Sequence, residues 1–188
     1  MRRILICFLL ISASCADEEL EIYDTIGGDF VLHDQFGDKY QLSEHNGKIR
    51  LLFFGFTHCP DICPTTLAEV QEVWQQLSAE QQQQIEILFA SVDPERDRSD
   101  LLRDYLGSFD LPVIGLRGSD AEMLEITAKY ASFYEKVSLD SALMYTIDHS
   151  SQTFVIDRQG KIRGWVTYDQ PPSASVSYTH LRAHETRH

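Results

Sequence analysis

The chain has 188 residues, of which 43% are apolar, 11% aromatic and 24% charged. This composition is that of one globular domain with enough apolar material for a sizeable core. The formal net charge of −13 argues against a nucleic-acid partner, because the phosphates of nucleic acids favour a basic protein surface.

The first sixteen residues have the pattern of an export signal. Arg2 and Arg3 form a positive region, residues 4–11 are apolar, and small residues follow as far as Ala16. Eight apolar residues are few for a membrane span. Three outcomes stay open: cleavage before Cys15 with lipidation of that cysteine, cleavage after Ala16, and retention as an anchor.

The remaining chain divides into three parts. Residues 17–26 are acidic and turn-prone and are predicted to form a tether, and residues 27–172 are predicted to form the domain. Residues 173–188 are rich in His, Arg and Thr and have little apolar periodicity. We interpret them as a non-native tail, although three histidines in it (His180, His184 and His188) would share one face of a helix and could bind metal adventitiously.

The apolar pattern of the domain predicts strands that alternate with helices. The predicted elements are a hairpin over 30–42, a buried strand over 49–56, a helix over 65–77, a strand over 85–92, a helix over 99–106, a short strand over 113–116, a helix from 119 to about 134, and a hairpin of 152–157 with 161–166. Ser119 and Glu122 form a capping box at the start of the last helix. This alternation indicates an α/β domain with helices on the faces of a central sheet.

Cys59 and Cys63 lie between the strand over 49–56 and the helix that follows it. A disulfide between them would close a very short loop and would stabilise the fold little, so we attribute the pair to redox or metal chemistry. Pro64 suits the first helical turn, which places Cys63 where helix amides and the helix dipole stabilise a thiolate. Two thiolates suit copper(I), zinc or a reversible dithiol–disulfide couple, and either metal would need a further ligand.

Four histidines outside the tail are candidates for that ligand. His58 is adjacent to Cys59 and would point away from it in extended chain, and His33 and His45 lie in or near polar turns. His149 comes just before a predicted strand and would lie at an edge of the sheet. Spacing alone gives His149 only a small advantage, because hydrogen-bonded structural histidines are common.

Three segments resemble, in the same order, the Sco/SenC family of copper-binding thioredoxin-like proteins. They are FFGFTHCPDICP (53–64), SVDPERD (91–97) and DHS (148–150), and the similar region covers roughly residues 27–164. The resemblance implies a thioredoxin-like fold, with a central mixed sheet, flanking helices and an N-terminal hairpin. It also implies a mononuclear copper site whose ligands are Cys59, Cys63 and His149.

Family members are normally tethered to a membrane and face the periplasm or the mitochondrial intermembrane space, so the resemblance and the export signal together lead us to expect a tethered protein of the bacterial periplasm. Family members deliver copper to the binuclear copper centre of cytochrome c oxidase, or reduce its cysteines. We therefore expect a copper ion as ligand, and the copper-bearing subunit of the oxidase or another copper or thiol protein as partner. Family members usually end in a helix after the last hairpin, and here the tail occupies its place, so we expect that helix to be missing.

Other functions remain open at this stage. The same cysteines would serve a thiol–disulfide oxidoreductase that reduces a partner, or a redox or copper sensor. A peroxidase-like enzyme of the same fold would need an arginine near a thiolate of low pKa. Residues 93–97 are interpreted as a solvated loop with local ion pairs and receive no role.

Overall fold

A computed structural model describes residues 22–140 and 144–167. The strands of this part of the chain are β1 (Val31–Asp34), β2 (Lys39–Gln41), β3 (Ile49–Gly55), β4 (Ile85–Ser91), β5 (Val113–Arg117), β6 (Tyr134–Ser138), β7 (Tyr145–His149), β8 (Thr153–Ile156) and β9 (Ile162–Val166). Its helices are α1 (Ile62–Gln76), α2 (Ala79–Gln82), α3 (Ser99–Leu106) and α4 (Asp120–Lys129), with a 3-10 helix at Leu42–His45.

Seven strands form one mixed sheet in the order β2-β1-β5-β4-β3-β8-β9. β3, β4 and β5 are parallel to one another and form its centre. The β1–β2 hairpin joins β5 in antiparallel orientation on one side, and the β8–β9 hairpin joins β3 on the other. The mixed sheet, its two predicted hairpins and the alternation of strands with helices are therefore confirmed.

The side chains of β3 alternate between two apolar layers. Phe53 meets Phe89 of β4 edge to face, and Phe89 in turn contacts Tyr105 of α3. On the opposite face, Phe54 packs against the ring of Tyr130, which caps the C-terminus of α4. Because successive strand residues point to opposite faces, α3 and α4 cover opposite sides of the sheet.

The structure differs from the prediction after α4. The helix ends at Lys129 rather than near residue 134, and Ala131 has a positive φ of 50° that α-helix does not allow. In the described residues, β6 and β7 form a separate two-stranded antiparallel sheet that the sequence did not indicate. The reason is that β6 has no buried side chain and β7 only one, so neither strand has the alternation of a half-buried strand.

The ends of the chain are described only in part. Within the predicted tether, the Tyr23 amide donates to the carbonyl of Ile162 (3.1 Å), and the Tyr23 ring contacts that of Trp165 at 5.0 Å. The predicted export signal, Cys15, the predicted tail and the place where we expect a C-terminal helix to be missing all lie outside the described residues. Across residues 22–140 and 144–167, no helix has the length and apolar character of a membrane span.

Candidate metal centre

A short loop after β3 carries the first cysteine into the start of α1. The Cys59 amide donates to the carbonyl of Phe56 (3.2 Å), which closes the turn. α1 begins at Ile62, three residues earlier than predicted, so that Cys63 is its second residue. The Cys63 amide donates to Sγ of Cys59 at 3.4 Å. A free N–H group of the first helical turn therefore points at the sulfur of Cys59.

Gly55 leaves the space that Cys63 occupies. The Cys63 side chain is fully buried, whereas that of Cys59 is partly exposed. A Cβ atom on Gly55 would lie 2.9 Å from Sγ of Cys63, and equally close to the rings of Phe53 and Phe89. The absence of a side chain at Gly55 thus lets the sulfur rest directly on the sheet.

β7 brings His149 to the two sulfurs. Its Nε2 lies 3.6 Å from Sγ of Cys63, and its Nδ1 lies 2.9 Å from the carbonyl oxygen of Ser150. A carbonyl only accepts hydrogen bonds, so Nδ1 carries the proton and Nε2 presents its lone pair to the sulfurs. The rings of Phe53 and Phe56 meet the imidazole edge to face at 6.2 and 5.7 Å. These contacts fix both the tautomer and the plane of the ring.

The ligand atoms of Cys59, Cys63 and His149 all lie within 4.8 Å of one another. The three residues form a group that could hold a metal ion, and the described part of the chain contains no second group of this kind. The other three histidines of residues 22–140 and 144–167 are outside this group. The His58 ring is 3.0 Å from the hydroxyl of Thr57, the His45 ring pairs with a glutamate, and His33 lies on β1.

The two sulfurs differ in their ionisation. A hydrogen bond from Cys63 lowers the pKa of Cys59 to about 4 against the opposing effect of burial, and nearby backbone amides act in the same direction as Cys63. The pKa of Cys63 is raised by its hydrogen bond to Cys59, by burial and by the negative charge of Cys59. We therefore assign the thiolate to Cys59 and the proton to Cys63. The prediction that the helix N-terminus stabilises a thiolate on Cys63 is wrong, because the helical amide contacts the other sulfur.

Residues 93–97 lie beside the site, and two of their side chains are buried, contrary to the interpretation as a solvated loop. The side chains of Asp93 and Asp97 are completely buried. Asp97 accepts hydrogen bonds from the amide (3.0 Å) and the hydroxyl (2.6 Å) of Thr57, and from the hydroxyl of Ser91 (2.6 Å). Asp97 thereby fixes the start of the cysteine loop. The sequence held one signal that this segment belongs to the site, namely its position. The segment follows β4 at the same edge of the sheet at which the cysteines follow β3.

The site opens to the surface between α1 and the β6–β7 sheet. The groove at this opening is lined by Phe56, Cys59, Pro60, Asp61, Ile62, Phe133, Thr146, Ile147, Asp148 and His149. Phe133 is 60% exposed, an unusual position for a large apolar ring. Of the two cysteines, only Cys59 lines the groove.

The fold and the site define a class: an α/β protein with a two-cysteine, one-histidine group at the carboxyl end of its central strands. The sequence model of the SCO1/SenC family matches residues 19–182, and the chain belongs to this family. It is 36% identical over 181 residues to the SCO2-like protein of Rickettsia felis, covering 91% of this chain and 87% of that protein.

Solved structures agree with this assignment. The structure of Bradyrhizobium japonicum ScoI with copper bound has a TM-score of 0.75 and 36% identity, covering 83% of this chain and 99% of that chain. That of Arabidopsis thaliana ScoI with copper bound has a TM-score of 0.74 and 29% identity, covering 83% and 97%. The predicted family and the predicted thioredoxin-like fold are therefore confirmed.

Proposed function

We propose that the protein binds one copper ion through Cys59, Cys63 and His149. The observation that carries this proposal is the approach of their ligand atoms to within 4.8 Å, with Nδ1 of His149 bonded to a backbone carbonyl. Metal-binding histidines commonly donate their second ring N–H in this way. Thiolate and imidazole ligands together suit copper. The copper-bound relatives support the choice of metal.

We infer that copper is the cargo of this protein and that its recipient is the binuclear copper site of cytochrome c oxidase. Sco proteins form a family of cytochrome c oxidase assembly proteins, which supports this recipient. Three protein ligands leave room for a further donor, and Cys59 borders an open groove. A thiolate of the recipient can therefore bind the ion before each ligand of the donor leaves, so that the ion is never free in solution.

We also propose that the protein is exported to the bacterial periplasm and is tethered to the membrane there. The charged and apolar pattern of residues 1–16 supports export, and Cys15 supplies a site for a lipid anchor. Mass spectrometry of the N-terminal peptide from membranes distinguishes the outcomes. A lipid on Cys15 or an intact signal supports the tether, whereas an N-terminus at residue 17 in the soluble fraction contradicts it.

Copper binding is tested by titrating the full chain with copper(I) in competition with a chromophoric chelator. Every protein carries Cys7→Ser and Cys15→Ser, and alanine replaces the three tail histidines, so that these groups cannot contribute. We expect one ion per chain, and no competitive binding by Cys59→Ser or Cys63→Ser. His149→Ala should weaken copper binding by about tenfold or more. Removal of a residue that only supports a metal ligand already costs about tenfold in affinity, and His149 is itself a proposed ligand.

His58→Ala is the matched control, because His58 is adjacent to Cys59 but lies outside the group of three ligands. We expect its affinity to equal that of the parent. Stoichiometric binding that survives replacement of both Cys59 and Cys63 would contradict the site.

Delivery is then tested by mixing the loaded protein with the soluble copper-bearing domain of the oxidase. Formation of the binuclear centre no faster than from a copper chelate of equal affinity would contradict a chaperone.

The opposite ionisation of the two cysteines favours a second function, the reduction of a partner's disulfide. The Cys59 thiolate would attack one partner sulfur, and the other would leave as a thiolate. Cys63, after losing its proton, would attack Cys59 in the mixed disulfide, so that two electrons pass to the partner and a Cys59–Cys63 disulfide remains. Exchange with a disulfide substrate in the absence of metal measures this activity. Equal rates for the parent and His149→Ala would support it over copper delivery.

A further inference from the structure

The strand that carries His149 is not part of the main sheet. In residues 22–140 and 144–167, β7 pairs with β6 alone, and these two strands share no sheet with the strand that leads to the cysteines. Ile147 is the only buried side chain of β7. Pairing of β7 with the main sheet therefore does not fix the distance from His149 to Cys59 and Cys63, and contacts made by other residues contribute to it.

Arg96 makes several of those contacts at the start of β7. Its Nη1 donates to the carbonyl of Tyr145 (2.9 Å), and its guanidinium lies 3.7 Å from the centre of the Tyr145 ring. Its Nε donates to a carboxylate oxygen of Asp93 (2.5 Å), whose other oxygen accepts the hydroxyl of Tyr145 (2.8 Å). We call Asp93, Arg96 and Tyr145 the Arg96 clamp. It joins the loop after β4 to the strand that carries His149.

The clamp also reaches His149 through Phe56. The guanidinium carbon of Arg96 lies 5.8 Å from the centre of the Phe56 ring. The same ring meets the imidazole of His149 edge to face, with 5.7 Å between ring centres. Phe56 is buried and directly precedes the cysteine loop. Arg96 therefore contacts both the strand that bears the imidazole and the ring against which the imidazole packs.

We propose that Arg96 is a positioning residue of the metal site, which holds β7 so that Nε2 of His149 faces the two sulfurs. This inference rests on the proposed function, because it assumes that His149 is a ligand. An arginine suits the role, since its planar group can bond an acid and a carbonyl while it stacks on a ring. A lysine would keep the ion pair with Asp93 but could not make all three contacts.

The test is a double-mutant cycle on the full chain, read as copper(I) affinity. Arg96→Ala should weaken binding by about tenfold, the size of effect seen when supporting contacts of a ligand are removed. If Arg96 acts through His149, Arg96→Ala combined with His149→Ala should bind no more weakly than His149→Ala alone. Arg96→Lys should lie between the parent and Arg96→Ala. The proposal would be overturned if the copper affinity of Arg96→Ala were within about twofold of that of the parent. It would also be overturned if the affinity losses of the two single variants multiplied in the double variant.

Arg163→Ala is the matched control. Arg163 also pairs through Nε with a fully buried aspartate, Asp157, at 2.6 Å, and its side chain is as shielded as that of Arg96. Its replacement should destabilise the fold without changing the affinity of the folded protein for copper. An equal loss of affinity in Arg163→Ala would mean that general loosening of the fold, and not the clamp, explains the effect of Arg96→Ala.

A measurement without metal separates the clamp from the proposed function. In the metal-free full chain, we expect a nuclear Overhauser contact between the His149 and Phe56 rings that Arg96→Ala abolishes and Arg163→Ala preserves. If the parent binds no copper, the proposed function fails, yet this contact still decides whether Arg96 positions the imidazole. A contact of equal strength in the parent and Arg96→Ala would overturn the inference.

Discussion

Replacing Gly55 by alanine tests how closely Cys63, a proposed copper ligand, is packed on the sheet. The new Cβ would lie 2.9 Å from Sγ of Cys63, Cε1 of Phe53 and Cε2 of Phe89, whereas ordinary contact begins at 3.4 Å. All three neighbours belong to buried side chains, so relief of the overlap must move several of them. Overpacking of this kind costs about 1–3 kcal/mol of the free energy of unfolding. We expect about 2 kcal/mol, and because the sulfur must move by a few tenths of an ångström, about tenfold weaker copper binding.

The assay combines urea unfolding, followed by tryptophan fluorescence, with the copper(I) competition titration. Gly115→Ala is the control, because a Cβ there would overlap Leu102 and Leu106 of α3 at 2.6–2.9 Å, and Cys63 is not among its nearest neighbours. It should lose stability and keep its copper affinity. The reasoning is refuted if Gly55→Ala is as stable as the parent, or if both variants bind copper equally well.

Three local features lead to further predictions. Because the pKa of Cys59 is about 4, its alkylation rate should stay level down to about pH 5 and fall below that; a rate that climbs steadily up to pH 8 would show an ordinary thiol. Although burial opposes it, hydrogen bonds hold the pKa of Asp157 below its ordinary value, so its contribution to stability is present at neutral pH and is lost as the pH falls through the lowered pKa. Asp157→Asn should therefore lower the free energy of unfolding at pH 7 by about 3 kcal/mol, with a difference from the parent that shrinks in acid; a difference that is constant with pH would contradict this. Ser119→Ala should cost about 1 kcal/mol in urea unfolding, because the Ser119–Glu122 capping box closes the start of α4, and an unchanged midpoint would show that the box contributes nothing.

The ionisation of the cysteine pair bears on both proposed functions. Copper needs both sulfurs as thiolates, so loading must displace the proton held by Cys63. Disulfide reduction, in contrast, begins at the Cys59 thiolate and needs Cys63 only in its second step. The same two residues can therefore serve either reaction. The copper affinity of His149→Ala and its exchange rate without metal distinguish them, because only the first depends on the imidazole.

Elements with a complete local pattern were predictable from the sequence. β3 and β4 are continuous apolar runs of strand length, and such runs are typical of strands buried on both faces. α3 begins and ends as predicted, and the capping box marks the start of α4. β6 and β7 could not be predicted, because exposed polar strands that pair only with each other have no apolar alternation.

The sequence by itself marked the two cysteines as a candidate site, since their spacing and their place between a buried strand and a helix are local features. Spacing gave His149 only a small advantage over the other histidines, and the family resemblance singled it out. Tertiary structure decided the rest: the approach of His149 to Cys63 across 86 positions of sequence, the contact of Arg96 with Tyr145 across 49, and the proton held by Cys63. Contacts between such distant positions leave no periodicity or spacing to recognise, and a pKa depends on burial and neighbours that only the folded chain supplies.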